Sequence, residues 1–169
     1  MLTVAKSEIG SNRKYRGNRF LTVVQYTLDM YDCLVELQRV CKLYSKIIFI
    51  IGRESNVRKT RFYNSEIIAS LAKLSGMELC YRQERVFLNR YGQQIYEDIL
   101  HFKNTSKRII QDDKKIRESA KQILIDALDR APKEAIEDLT SAIAQVEKVK
   151  KSPIYKVRNY QKILGRVLL

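Results

Sequence analysis

The chain has 169 residues, room for one domain or for a small domain with an appendage. Its 32 Lys and Arg against 19 Asp and Glu give a net charge of +13 and a pI near 9.7, which favours a polyanionic partner, with DNA or RNA first. No apolar stretch reaches the length of a membrane span, about 20 residues, and no charged-then-apolar signal opens the chain, so a cytoplasmic location is expected. Cys33, Cys41 and Cys80 form no CxxC and, with His101 as the single histidine, make a poor metal set; free core thiols are expected.

Residues 1–19 read as irregular, with Gly10 and Gly17 flanking a polar stretch that contains Arg13, Lys14 and Arg16. A phosphate-contacting arm and a solvated loop both fit this composition. Residues 20–42 read as an amphipathic helix, because Val23, Leu28, Tyr31, Leu34, Val35, Leu37, Val40 and Cys41 recur mostly at mixed spacings of three and four. Ile47, Ile48, Phe49, Ile50 and Ile51 then form a continuous apolar run without alternation, which predicts a parallel strand buried on both faces.

Gly52 ends that run, and a basic loop follows: Arg53, Glu54, Ser55, Arg58, Lys59 and Arg61. Asn64 is the expected N-cap of a helix over 64–74, closed at Ser75 and Gly76. Strand, loop and helix in this order place the loop at the carboxyl end of a strand, where open α/β sheets bind ligands. Residues 77–102 read as two antiparallel strands joined by a turn at Asn89, Arg90, Tyr91 and Gly92.

Helical periodicity returns over 107–128 and 135–149, with Pro132 near the start of the second segment. Residues 148–169 carry Lys148, Lys150, Lys151, Lys156, Arg158, Lys162 and Arg166 and no acid, with Tyr155 and Tyr160 among them. Such a segment can hold a phosphate backbone and stack on bases, or serve as a solubilising tail docked through Ile154, Ile163 and Leu164. The expected organisation is an α/β domain over 1–102 and a helical basic extension over 103–169.

Gly52 to Arg58 after an apolar strand, Phe62 to Glu66, and Arg85 to Gly92 with Ile95 to Leu100 behind them resemble the C-terminal half of amino-class, site-specific DNA methyltransferases. Ser7, Glu8, Ile9 and Gly10 resemble the segment after the catalytic motif of that family. The resemblance covers residues 7–102. It implies a partial class I methyltransferase (Rossmann-like) sheet with a terminal antiparallel hairpin, followed by a helical C-terminal segment. It also implies methyl transfer from S-adenosylmethionine to adenine N6 or cytosine N4. The loop bearing Arg53, Glu54, Ser55 and Arg58 would border the target-base pocket, and Lys59, Arg61, Arg13, Lys14 and Arg16 would face DNA. Against this, Glu54 paired with a neighbouring arginine would only shape the loop.

The family's Pro-Pro-Tyr motif holds the exocyclic amine and stacks on the flipped base. Pro132 and Pro153 are the only prolines and are not adjacent, and none of the six glycines forms GxG. The expected activity is therefore that of a fragment or one subunit of a split enzyme. It would be inactive alone, with S-adenosylmethionine bound only if a second chain supplies the glycine-rich site. DNA and a second methyltransferase chain, or self-association, are the expected partners. A non-enzymatic nucleic-acid-binding protein on a degenerate half-fold is the alternative, and a small interaction module with solubilising charge is a third.

Overall fold

The computed structural model describes residues 17–105 and 112–152. Arg13, Lys14 and Arg16 lie outside the described residues, as do residues 7–10 of the resemblance and 153–169 of the basic tail. The described elements are α1 (Leu21–Val40), β1 (Lys46–Gly52), β2 (Glu54–Val57), β3 (Thr60–Tyr63), α2 (Asn64–Leu74), β4 (Met77–Leu88), β5 (Gln94–Asn104), α3 (Asp113–Asp126) and α4 (Lys133–Gln145). Short 3-10 turns follow α3 at Leu128–Arg130 and α4 at Val146–Lys148. Among the described residues the fold is mixed α/β, with four α-helices and a small antiparallel sheet.

Helix α1 buries Val23, Val24, Thr27, Leu28, Tyr31, Leu34 and Gln38, one stripe at spacings of three and four. Asn104, at the end of β5, ties the C-terminal end of the helix to the sheet: its side-chain nitrogen donates to the Gln38 carbonyl of the last turn and to the Cys41 and Lys42 carbonyls just beyond it, at 3.2, 3.1 and 3.4 Å.

Strands β1, β5 and β4 form a three-stranded sheet in that order, with the last strand inserted between the other two. Both pairings are antiparallel, Phe49 facing Leu100 and Leu79 facing Phe102. The 77–102 hairpin is present and slightly longer than its sequence signal, and its turn holds Gly92 at φ 74°.

The expectation for β1 fails on two counts. Its hydrogen-bonded neighbour is antiparallel, and its residues alternate, half-buried then exposed, along the strand. Ile47, Phe49 and Ile51 pack on the core, while Ile48 and Ile50 are 57% and 54% exposed on the outer face. A strand's period of two forces this split once helices cover one face only. On the inner face Phe49 meets Phe102 edge-on at 5.9 Å.

The basic loop is in part a second, two-stranded sheet: β2 and β3 pair antiparallel, with Val57 opposite Thr60. The two-residue turn is Arg58 and Lys59, at φ 49° and 63°. A hairpin loop of this length matches strand twist when both central residues take positive φ. Neither residue is of the kind that signals such a turn.

Helix α2 spans the expected residues, but its N-cap is not Asn64. Tyr63 occupies the N-cap, and the Asn64 side chain is used elsewhere, donating to the Gly52 carbonyl at 2.9 Å. Gly76 ends the helix at φ 78°, as its position predicts.

Helix α3 is capped by Asp112, which accepts from the Lys115 amide at 3.1 Å, and Pro132 is the N-cap of α4. Arg117 donates to the carbonyls of Val146, Glu147 and Val149 and so closes the far end of α4. Buried side chains from both sides of residue 103 join one core, in which Ile116, Ala120, Leu124 and Leu139 accompany Phe20, Leu28, Phe62 and Leu71. Each fully buried Leu or Ile contributes about 1.5–3 kcal/mol of transfer free energy. The cysteines are free, but Cys33 and Cys80 are exposed and Cys41 half-buried, so they are not core thiols.

Candidate functional site

The polypeptide leaves β1 at Gly52, and the Arg53 amide donates to the Tyr96 carbonyl of the neighbouring strand at 3.0 Å. The Arg53 side chain turns inward. Its Nε lies 3.2 Å from Asp98 Oδ1, a terminal nitrogen lies 3.0 Å from Glu84, and the guanidinium sits 5.2 Å from the Tyr96 ring centre. Asp98 is the hub of this cluster and is completely buried. Its other oxygen accepts from Arg82 at 2.9 Å and from the Ser65 hydroxyl at the start of α2. Burial raises the Asp98 carboxyl, but the Ser65 hydroxyl and the Arg82 and Arg53 guanidiniums outweigh it and hold the group below the ordinary aspartate value.

The other loop residues are spread over the outside of the β2–β3 hairpin. Glu54 pairs with Arg61 at 3.2 Å across the two strands. Arg58, in the turn, forms an ion pair with Asp138 of α4. Lys59 makes no ion pair among the described residues. The Ser55 hydroxyl donates to Asn64 at 3.0 Å. Thus three of the four basic residues of the loop already face carboxylates, and the side chains do not converge on one point.

Ser55 and Asn64 also border a surface cleft of about 240 Å³ between α1, β2, β3 and α2, with Tyr26 and Thr22 on its other wall. Burial raises the Tyr26 phenol above its ordinary value, so it is a neutral donor at physiological pH. The Ser55 hydroxyl and the Asn64 amide are bonded to each other, Asn64 also to the Gly52 carbonyl, and the Thr22 hydroxyl donates to the Arg19 carbonyl at 2.6 Å. The lining includes neither an acid–base pair nor an activated nucleophile. Among the described residues, no group of three His, Cys, Asp or Glu could hold a metal ion.

Sequence reasoning assigned no role to Asp98 or Asn104. The signal for Asp98 was present: it shares its strand face with Leu100 and Phe102, and an acid on an inward face needs buried partners. Its three partners are 16, 33 and 45 residues away in the chain.

The charge is unevenly placed. Ten of the 32 basic residues and one of the 19 acids fall outside the described residues, which leaves the described part at +4 of the total +13. No helix among the described residues is long and apolar enough to cross a membrane. Compared with protein-family models, curated proteins and solved structures, the chain has no significant match.

Proposed function

We propose that this chain acts as the target-side part of an S-adenosylmethionine-dependent DNA amino-methyltransferase, completed by a second chain. One observation carries the reading. After β1 and α2 the chain continues into the antiparallel hairpin that the resemblance implies, while no element among the described residues covers the sheet's outer face or pairs with the outer edge of β1. Ile48 and Ile50 on that face are exposed beside the partly exposed Ile99 and the exposed Tyr81. An open edge and exposed apolar side chains are where another chain adds a strand and covers a surface.

The described residues do not fit S-adenosylmethionine by themselves. The strand-to-helix junction, where a glycine-rich cradle would present backbone amides, is Tyr63–Asn64 and holds no glycine. Cofactor and catalytic motif therefore come from the second chain, and this chain contributes the cleft at Ser55 and Asn64 and contacts to DNA.

The test uses radiolabelled S-adenosylmethionine and mixed-sequence duplex. The purified chain alone is expected to transfer no methyl group. Addition of the product of the adjoining upstream reading frame, if it carries Pro-Pro-Tyr and a glycine-rich loop, is expected to give turnover. Turnover by this chain alone, or none from the pair once a stable complex is shown, overturns the reading.

The alternative, a non-enzymatic nucleic-acid-binding protein on a degenerate half-fold, is favoured by the concentration of positive charge outside the described residues. It calls for DNA affinity from this chain alone with no methyl transfer in any pairing.

A further inference from the structure

The β4–β5 hairpin continues past the end of β1. Strand β1 stops opposite Glu97, and three further pairs follow: Val86 with Tyr96, Phe87 with Ile95 and Leu88 with Gln94. Arg53 still flanks the first of these at Tyr96, so at about 3.3 Å per residue this two-stranded finger projects roughly 7 Å before its turn.

The turn is held in one conformation. Asn89 Oδ1 accepts from the amides of Tyr91 and Gln93 at 2.9 and 3.0 Å, and the Asn89 amide donates to the Gln93 carbonyl at 2.9 Å. Such local bonds fix a loop without help from the core.

The finger exposes large apolar and basic side chains. Leu88 and Tyr91 are 65% and 69% exposed. The Arg90 guanidinium lies 4.6 Å from the Tyr91 ring centre and that of Arg85 5.1 Å from Phe87. Arg85 also pairs with Glu97, but Arg90 faces no carboxylate among the described residues. From Arg85 to Tyr96 there is no acid; the Asn89 and Gln93 side chains are bonded to each other, and Gln94 brings a further amide to the same end.

We propose that this finger is the chain's contact with double-stranded DNA, entering the major groove with Arg90 and Tyr91 at its tip. The proposal rests on the reading of DNA as the substrate and moves the contact from the ion-paired β2–β3 loop to the hairpin. The dimensions agree: the major groove is about 12 Å wide and 8.5 Å deep and admits a two-stranded ribbon. So does the chemistry. Arginine donates to guanine O6 and N7, the side-chain nitrogen of Gln94 can donate to a base-edge acceptor, and an exposed aromatic meets the thymine methyl. A rigid tip loses little conformational freedom on binding.

Fluorescence anisotropy with the full chain and a mixed-sequence duplex of about 20 base pairs, over a salt series, tests this. Replacing Arg90 and Tyr91 together with alanine is expected to weaken duplex binding about tenfold and to lower the salt slope by about one. The melting temperature should not change, because neither side chain touches the core. The control K114A with K115A, on the exposed face of α3, should change affinity less than about threefold. In parallel, a benzophenone amino acid at position 91 is expected to crosslink to the duplex.

Equal affinities for the two double variants overturn the proposal. So does a duplex that binds without crosslinking, a preference for single strands, or loss in the tip variant of binding to phosphatidylserine vesicles alone. No methyl transfer is read here, so failure of the enzymatic reading and failure of the finger are separately visible.

Discussion

Replacing Asp98 with alanine should cost this protein more stability than any surface charge can. The carboxylate is completely buried and is shared by Arg53, Arg82 and Ser65. Removing one partner of a buried ion pair costs about 3–5 kcal/mol, because the remaining charge is left in the interior uncompensated. Here the remaining guanidiniums are 24% and 41% exposed, and Arg53 keeps Glu84, so water and that pair recover part of the loss. The expected cost is about 2–3 kcal/mol, or a melting temperature lower by roughly 4–12 °C at neutral pH.

The same carboxylate predicts a pH dependence. Its folded value lies below the unfolded one, so protonation favours the unfolded chain. The contribution is complete above the unfolded aspartate value, about 3.9, and is lost as pH falls through the folded value. The gap between wild type and D98A should therefore close below about pH 4. Thermal unfolding followed by circular dichroism measures both. Glu54→Ala is the control, because its pair with Arg61 is solvent-exposed and worth at most about 1 kcal/mol. If D98A and E54A melt alike at neutral pH, or if the D98A gap persists unchanged in acid, the cluster is not the anchor described.

Asn104→Ala should lower stability by about 1–3 kcal/mol in the same assay, since it leaves the Gln38, Cys41 and Lys42 carbonyls without their donor; a loss below about 0.5 kcal/mol would refute the tethering role. Lys59→Gly should raise stability by about 0.5–1 kcal/mol, because a non-glycine residue at φ 63° is strained and makes no ion pair among the described residues; a fall would show that its side chain is engaged. Ile48→Lys with Ile50→Lys should change the monomer's stability by no more than about 0.5 kcal/mol, yet weaken self-association or complex formation in light scattering. Unchanged association would mean that the outer face is not the contact surface.

Local signals in the chain were enough to place most elements. The stripe at spacings of three and four marked α1, Ser75–Gly76 marked the end of α2, and Asn89 to Gly92 marked the hairpin turn, because each depends on residues within one or two turns of backbone. Pro132 likewise placed α4. The run Ile47 to Ile51 could not show which face would be covered: an unbroken apolar strand reads as doubly buried wherever it lies, and only the arrangement of helices leaves Ile48 and Ile50 outside. The Arg58–Lys59 turn was illegible for another reason. Its positive φ values go against residue preference and are imposed by the pairing of β2 with β3. The candidate site divides in the same way. Sequence showed a basic loop after a strand, but not that Arg53, Arg58 and Arg61 are each matched by a carboxylate. Two of those carboxylates, Asp98 and Asp138, come from elements 45 and 80 residues further along. Charge is a property of composition, whereas whether a charge is free is decided by what the fold sets beside it.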